Sequence, residues 1–149
     1  MLAKSLVALG GAAVLALGVL STPANAVVVH SRFQNQVGNL CLDYRADWGP
    51  YVTGCNDGPY QKWWYNRDAG PNTALAQDAT SKCLGVTNGR TTMSKCRGTA
   101  QQWTLRYTSG SGIPMIVNVA TRQCLAQGGN KAVVVAPCTG GNSQRWKVL

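Results

Sequence analysis

The sequence contains no glutamate, a single histidine, and no pair of cysteines in C-x-x-C spacing. A glycosidase normally needs two carboxylates with one tuned as an acid, and all five acidic residues are aspartates between Asp43 and Asp78. A nucleophilic serine or cysteine needs a base, and zinc needs closely spaced cysteine or histidine ligands. We therefore expect neither an enzyme nor a metal site, and no cofactor.

The first 26 residues have the pattern of a secretion signal. Lys4 supplies a positive start, positions 6–20 are an apolar run, and Ala24-Asn25-Ala26 fits a small-residue cleavage site. The run is short for a membrane span, with an uncleaved anchor as the alternative. We expect one mature domain, residues 27–149, that is secreted and does not insert into a membrane after cleavage. His30 would then lie near a fraying end.

The charge is strongly positive but is not concentrated in one segment. The formal net charge of +9 becomes +8 once Lys4 leaves with the signal. The basic residues are scattered from Arg32 to Lys147 without forming a run, so no specific nucleic-acid partner is expected. Solubility is the simpler interpretation, and attraction to an anionic wall polymer is the alternative.

The triplet Gln-x-Trp occurs three times, with its tryptophans 40 and 43 residues apart. The cysteines keep the same period, since Cys41, Cys83 and Cys124 are separated by 42 and 41 positions. A period of this length indicates three copies of one structural unit. We place the copies at about 31–70, 71–111 and 112–149. The triplets are Gln61-Lys62-Trp63, Gln101-Gln102-Trp103 and Gln144-Arg145-Trp146.

Alignment of the copies on the first cysteine predicts a shared core. Four aligned positions are apolar in every copy: Phe33, Leu75 and Ile116; Leu42, Leu84 and Leu125; Val52, Met93 and Val135; Tyr65, Leu105 and Val148. Short alternating segments separated by Gly, Asn, Asp and Pro clusters indicate about four strands per copy. The fold class is therefore all-β, with three copies closing a barrel around a pseudo-threefold axis. We expect each triplet tryptophan in the core and each triplet glutamine bonded to local backbone.

The six cysteines of a small exported chain indicate a disulfide framework. Sequence alone allows many pairings, but equivalent residues of a repeat should perform equivalent roles. The repeat therefore selects three pairs within copies, each closing a loop of about 14 residues. The pairs are Cys41–Cys55, Cys83–Cys96 and Cys124–Cys138.

Together, three copies of about 40 residues, Cys-Leu after the first strand and a closing Gln-x-Trp resemble the ricin B-type β-trefoil lectins. The resemblance covers essentially the whole mature chain and implies a β-trefoil. The fold alone does not imply sugar binding. In that family a copy binds sugar when an Asp follows Cys-Leu, an aromatic residue precedes the second cysteine and polar groups flank the triplet.

The first copy resembles the repeat of one branch of that family, the actinohivin-type lectins of high-mannose glycans. From Asp43, a tyrosine, an asparagine and a second tyrosine follow at the spacing of that repeat. The resemblance implies that Asp43 and Asn56 hold mannose hydroxyls, while Tyr51 and Tyr60 pack on the ring. Against the plant-toxin pattern the copy departs, because Thr53 replaces the usual aromatic residue and Tyr60 the usual Asn.

The other two copies lack these residues. The second copy has Gly85 and Ala100 at two of the four positions and no tyrosine between its cysteines, and the third has Ala126, Val134, Thr139 and Ser143. We expect one sugar site at most, in a monomer that binds glycan weakly, with exposed Trp48 as a further ring platform. Asp43 could instead cap a turn, and the tyrosines could be packing residues. A secreted scaffold that binds a protein or an anionic polymer is the alternative function.

Overall fold

The computed structural model describes residues 27–67 and 72–149, and the predicted signal segment lies outside the described residues. The described part is built from strands and three short 3₁₀ turns at Thr99–Gln101, Gly129–Lys131 and Asn142–Gln144. No helix within these ranges is long and apolar enough to span a membrane. The strands are β1 Val28–Ser31, β2 Phe33–Asn35, β3 Cys41–Arg45, β4 Gly49–Thr53, β5 Trp63–Asn66, β6 Thr73–Ala74, β7 Ala76–Gln77, β8 Lys82–Thr87, β9 Arg90–Lys95, β10 Gln102–Arg106, β11 Met115–Asn118, β12 Cys124–Gln127, β13 Val133–Ala136 and β14 Trp146–Val148.

The barrel closes through the first strand of each copy, which is divided into two segments in the first copy (β1 and β2) and in the second (β6 and β7). This strand pairs with the last strand of its own copy and with the last strand of the preceding copy. In the first copy β1 pairs with β5 and β2 with β14; in the second, β6 pairs with β10 and β7 with β5. In the third, β11 pairs with β10, and a bridge from Met115 to Arg145 completes the ring. The hairpins β3–β4, β8–β9 and β12–β13 follow the same threefold pattern. The predicted all-β trefoil is confirmed.

The core contains the aligned apolar positions. Phe33, Leu75 and Ile116 are fully buried, as are the three leucines that follow the first cysteines. The three triplet tryptophans are also fully buried, and their indole nitrogens donate to the carbonyl oxygens of Leu42, Leu84 and Leu125 at 3.1, 2.8 and 2.9 Å. Each indole thus fills the barrel while satisfying its one polar group.

The triplet glutamines bond to the backbone around the second cysteine of their own copy. Gln61 accepts from the Asn56 amide at 2.8 Å and donates to the Gly54 carbonyl at 2.9 Å. Gln144 accepts from the Thr139 amide at 2.7 Å and donates to the Pro137 carbonyl at 2.8 Å. Gln101 makes the same pair of contacts around Cys96. Each triplet glutamine thus bonds to local backbone on both sides of the second cysteine.

The disulfides are the three predicted pairs, with Cα–Cα distances of 5.0, 4.9 and 5.1 Å. Cys41, Cys83 and Cys124 are fully buried, whereas Cys55 and Cys96 are exposed and Cys138 is half-buried. Each disulfide therefore ties the loop that precedes the triplet to the first strand of the hairpin of its copy, which is β3, β8 or β12.

A second threefold set of buried amides was not predicted from the sequence. Asn35, Gln77 and Asn118 stand six residues before the first cysteine of each copy and are buried. Each donates to the carbonyl that precedes the triplet glutamine of the preceding copy: Ser143 at 2.8 Å, Tyr60 at 2.7 Å and Ala100 at 2.9 Å. The same alignment that revealed the apolar positions contains this signal, because all three residues are carboxamides.

The expectation that the chain frays around His30 is wrong. His30 lies in β1, paired with Trp64 of β5, and the two rings are 5.0 Å apart. The physical reason is that β1 covers the otherwise open edge of β5, while Val29 packs against the core.

Candidate functional site

A cleft of about 500 Å³ opens on the outside of the first copy. It brings together all four residues singled out in the sequence, Asp43, Tyr51, Asn56 and Tyr60. Two come from the hairpin β3–β4 and two from the loop between Cys55 and the triplet. The arrangement depends on register, because Leu42 and Val52 face the core and their neighbours in sequence therefore point outward.

Asp43 is the deepest of the four, with 5% of its surface exposed. One carboxylate oxygen accepts from the Tyr44 amide at 2.7 Å and the other from the side-chain amide of Gln61 at 3.0 Å. A carboxylate offers about four acceptor positions, so acceptor capacity remains for a ligand. The scaffold glutamine thus fixes the orientation of the carboxylate.

Tyr51 lies directly opposite Asp43 across the hairpin and is half-buried. Burial raises the pKa of the Tyr51 phenol, and the negative charge of Asp43 raises it further, while Arg45 lowers it. The hydroxyl is consequently protonated at neutral pH and can donate a hydrogen bond as well as accept one.

The loop that carries Asn56 is held by several contacts. The Asn56 side-chain oxygen accepts from the Gly58 amide at 2.8 Å, and Arg32 donates to the Asn56 carbonyl at 3.3 Å. Arg32 also pairs with Asp57 at 3.0 Å. A Cβ at Gly58 would lie 2.8 Å from the Asn56 side-chain oxygen, so a larger residue at position 58 would displace the Asn56 side chain.

Tyr60 forms the most open wall, with 51% of its surface exposed. Its carbonyl oxygen accepts from Gln77 at 2.7 Å, which fixes the backbone from the second copy. The ring itself is accessible, and an exposed aromatic face can pack against the apolar side of a sugar ring.

Several residues that line the cleft were not predicted from the sequence. Arg45 and Asp47 contribute an ion pair with a 3.0 Å separation. Thr80 and Lys82 belong to the second copy, and the Lys82 ammonium lies 6.0 Å from the centre of the Tyr44 ring. Only the packing of the second copy against the first brings Thr80 and Lys82 to this cleft, and no sequence pattern predicts their position there.

The second copy retains an equivalent cleft of about 340 Å³ with different walls. Gly85 lies opposite Thr92, where the first copy has Asp43 opposite Tyr51. In the third copy the corresponding pair is Ala126 and Val134. Neither pair offers a carboxylate or an aromatic ring, so the combination of groups described above belongs to the first copy.

Comparison with known proteins agrees with the fold. The family described as "Ricin-type beta-trefoil lectin domain-like" matches residues 99–149, which form the end of the second copy and the whole of the third. Among curated proteins, none matches the sequence.

Solved structures with the same fold include designed and natural proteins. The designed threefold-symmetric protein ThreeFoil is similar with a TM-score of 0.69 and 20% identity, over 80% of this chain and 97% of that one. SeviL, solved with an asialo-GM1 saccharide, gives 0.70 and 16%, over 83% and 98%. The hemolytic lectin CEL-III gives 0.67 and 22%, over 79% of this chain and 29% of that one. At these identities the similarity shows the fold alone.

Proposed function

We propose that this protein is a secreted lectin that binds mannose-type glycans through one site in its first copy. The observation that carries the proposal is the convergence of Asp43, Tyr51, Asn56 and Tyr60 on one cleft. These are the residues at which the first copy resembles the actinohivin-type repeat. The lectin domain match in residues 99–149 and the lectins of the same fold support carbohydrate as the ligand class.

The chemistry of the cleft suits a neutral hexose. The Asp43 carboxylate accepts hydrogen bonds from sugar hydroxyls, and charge assistance strengthens them. The Tyr51 hydroxyl and the Asn56 amide supply further donors and acceptors. The exposed Tyr60 ring packs on the C–H face of the sugar. We propose binding rather than catalysis, because the second carboxylate of the cleft, Asp47, is paired with Arg45 at 3.0 Å, whereas glycoside hydrolysis needs one of two carboxyl groups to act as the acid.

The affinity of a single site should be low. Sugar hydroxyls exchange hydrogen bonds with water for hydrogen bonds with protein, so the net gain is small. Lectins with several sites gain avidity of about 10²–10⁴-fold from multivalency. A monomer with one site lacks that gain, and we expect it to bind glycans without agglutinating cells.

The test is a glycan array followed by titration with a mannose oligosaccharide, using wild type, Tyr60→Ala and Asp43→Ala. Asp43→Ala should abolish binding but also removes a partner of Gln61, so its unfolding midpoint must be measured in parallel. Tyr60→Ala should weaken binding about tenfold without changing stability, because its ring is exposed. Tyr107→Ala is the matched control, since Tyr107 is 56% exposed on another part of the surface. Equal binding by wild type and both cleft variants would refute the proposal.

The alternative, a scaffold that binds an anionic polymer through its basic surface, has one observation in its favour. Within residues 27–67 and 72–149 the ion pairs are Arg32–Asp57 and Arg45–Asp47, and exposed Lys95, Arg97 and Lys147 take part in neither. Binding to heparin or teichoic acid that falls steeply with salt and is unchanged by Tyr60→Ala would favour this function.

A further inference from the structure

A second cleft, of about 420 Å³, lies on the other side of Tyr51. Its walls include Arg45, Trp48, Tyr51 and Thr53 from the β3–β4 hairpin, and Asn130 and Lys131 from the third copy. Arg45 and Tyr51 also line the first cleft. The two clefts are therefore neighbours that share a wall.

The third-copy wall is held against the hairpin by backbone contacts. Tyr51 forms an antiparallel bridge with Ala132. Ala132 in turn closes a tight turn, because its carbonyl accepts from the Gly128 amide at 2.8 Å and its amide donates to Gly129 at 3.1 Å. Lys131 lies within this turn, so its position relative to Tyr51 is set by the packing of two copies.

Trp48 is the most prominent feature of the second cleft. It is 63% exposed, more than any other large hydrophobic side chain in the described part of the chain. The Tyr51 ring meets it edge-on at 5.5 Å, and the Arg45 guanidinium lies 5.5 Å from its centre. These neighbours orient the indole while leaving most of its surface open, as a ring platform requires.

Polar groups accompany the platform. Within the described residues, the side chains of Thr53, Asn130 and Lys131 form no hydrogen bond or ion pair with protein, although all three line the cleft. A hydroxyl, a carboxamide and an ammonium supply both donors and acceptors for hydroxyl groups. An open aromatic face beside unused polar groups is the composition that recognises a saccharide.

We propose that the second cleft is an extension subsite for the next sugar unit of a glycan whose first unit occupies the Asp43 cleft. The inference rests on the proposed lectin function and specifies its ligand as an oligosaccharide of at least two units. The chain crosses the shared Tyr51 wall, and its second ring packs on Trp48. Lys131 and Asn130 contact the hydroxyls of that ring from the third copy.

The experiment compares affinities for methyl mannoside and for mannotriose by calorimetric or NMR titration. Wild type should bind the trisaccharide about tenfold more tightly than the monosaccharide. Trp48→Ala should remove most of that gain, a loss of about 5- to 10-fold in trisaccharide affinity, and leave monosaccharide binding unchanged. Lys131→Gln should remove part of the gain. Trp64→Ala is the matched control, because Trp64 is 42% exposed and lines neither cleft.

The outcomes separate the subsite from the lectin function. Equal affinity of wild type for both probes, or a gain that survives Trp48→Ala, overturns the subsite and leaves the lectin proposal intact. Equal loss of both probes on Trp48→Ala also overturns it, because Trp48 would then belong to the first unit's site. Failure of wild type to bind either probe overturns both proposals for mannose. Unfolding midpoints show that each variant is folded: those of Trp48→Ala and Lys131→Gln should equal that of wild type, and that of Trp64→Ala should be slightly lower, because this variant loses the His30 ring contact and a hydrogen bond to Asp78.

Discussion

The first and second copies share one frame and differ in the residue that follows Cys-Leu. In the first copy the triplet glutamine donates to the Asp43 carboxylate, whereas in the second Gln101 donates to the Ser94 hydroxyl at 2.7 Å. A Cβ at Gly85 would lie 2.7 Å from the Gln101 Cγ and 3.2 Å from the Ala100 carbonyl. The amide of the triplet glutamine needs an acceptor in both copies. In the first copy the acceptor is a carboxylate that also faces the cleft, and in the second it is a serine hydroxyl.

The third copy extends this comparison. Ala126 replaces the aspartate, and the Gln144 side chain is satisfied by the backbone around Cys138 and the Thr139 hydroxyl. Two copies therefore fold without a carboxylate at this position. The other copies satisfy their triplet glutamines without it, which supports the interpretation of Asp43 as a ligand-binding group.

The largest expected effect tests whether the frame is equal in the two copies. Trp63→Ala and Trp103→Ala should each lower the free energy of unfolding by about 3–5 kcal/mol. Both indoles are fully buried and donate to equivalent carbonyls. Denaturant unfolding with disulfides intact measures the loss. A small loss for one variant beside a large loss for the other would contradict a shared core.

Removal of single disulfides should separate stability from binding. The double variants Cys41→Ala/Cys55→Ala and Cys83→Ala/Cys96→Ala open loops of 14 and 13 residues, and each should lose about 2–4 kcal/mol of unfolding free energy. Only the first pair should also lose glycan binding, because Asn56 directly follows Cys55. Equal loss of binding from the second pair would place the site outside the first copy.

Introducing an aspartate at Gly85 tests whether the second copy can be converted into a site. Gly85→Asp should cost about 1–3 kcal/mol, since the pinned Gln101 side chain occupies the space of the Cβ. It should create no glycan binding when Asp43 is also mutated. Gly112→Ala is the control, because nothing lies within 4 Å of its Cβ position. Unchanged stability in Gly85→Asp would show that the cleft can rearrange.

The smallest effect concerns the ionisation of Tyr51. The equivalent residues of the other two copies are Thr92 and Val134, which do not ionise. Its pKa lies above the ordinary value of 10.0, so the folded state favours the neutral phenol. The contribution of the neutral Tyr51 phenol to the free energy of unfolding is therefore fully present below pH 10.0, and it is lost as the pH rises through the raised pKa. The difference in tyrosinate absorbance between wild type and Tyr51→Phe measures this titration. Midpoints at or below the ordinary value would contradict the effect of burial and Asp43.

Much of the frame was predictable because it repeats. A residue type that recurs at one offset in three copies, such as the leucine after each first cysteine, identifies a core position without any structure. The disulfide pairs followed from the same symmetry. The carboxamides Asn35, Gln77 and Asn118 carried an equally regular signal, although they bond between copies rather than within one.

The sequence by itself determined the threefold repeat, the core, the bridges and the chemical groups of the first-copy cleft, because local spacing along a strand decides which side chains face outward. Only the tertiary structure decided how the copies meet. Lys82 reaches the first cleft and Lys131 reaches the second from other copies, and His30 joins a strand instead of fraying. Contacts between distant segments depend on how the barrel closes, and the spacing of residues within one copy does not show which side chains of a neighbouring copy line its clefts.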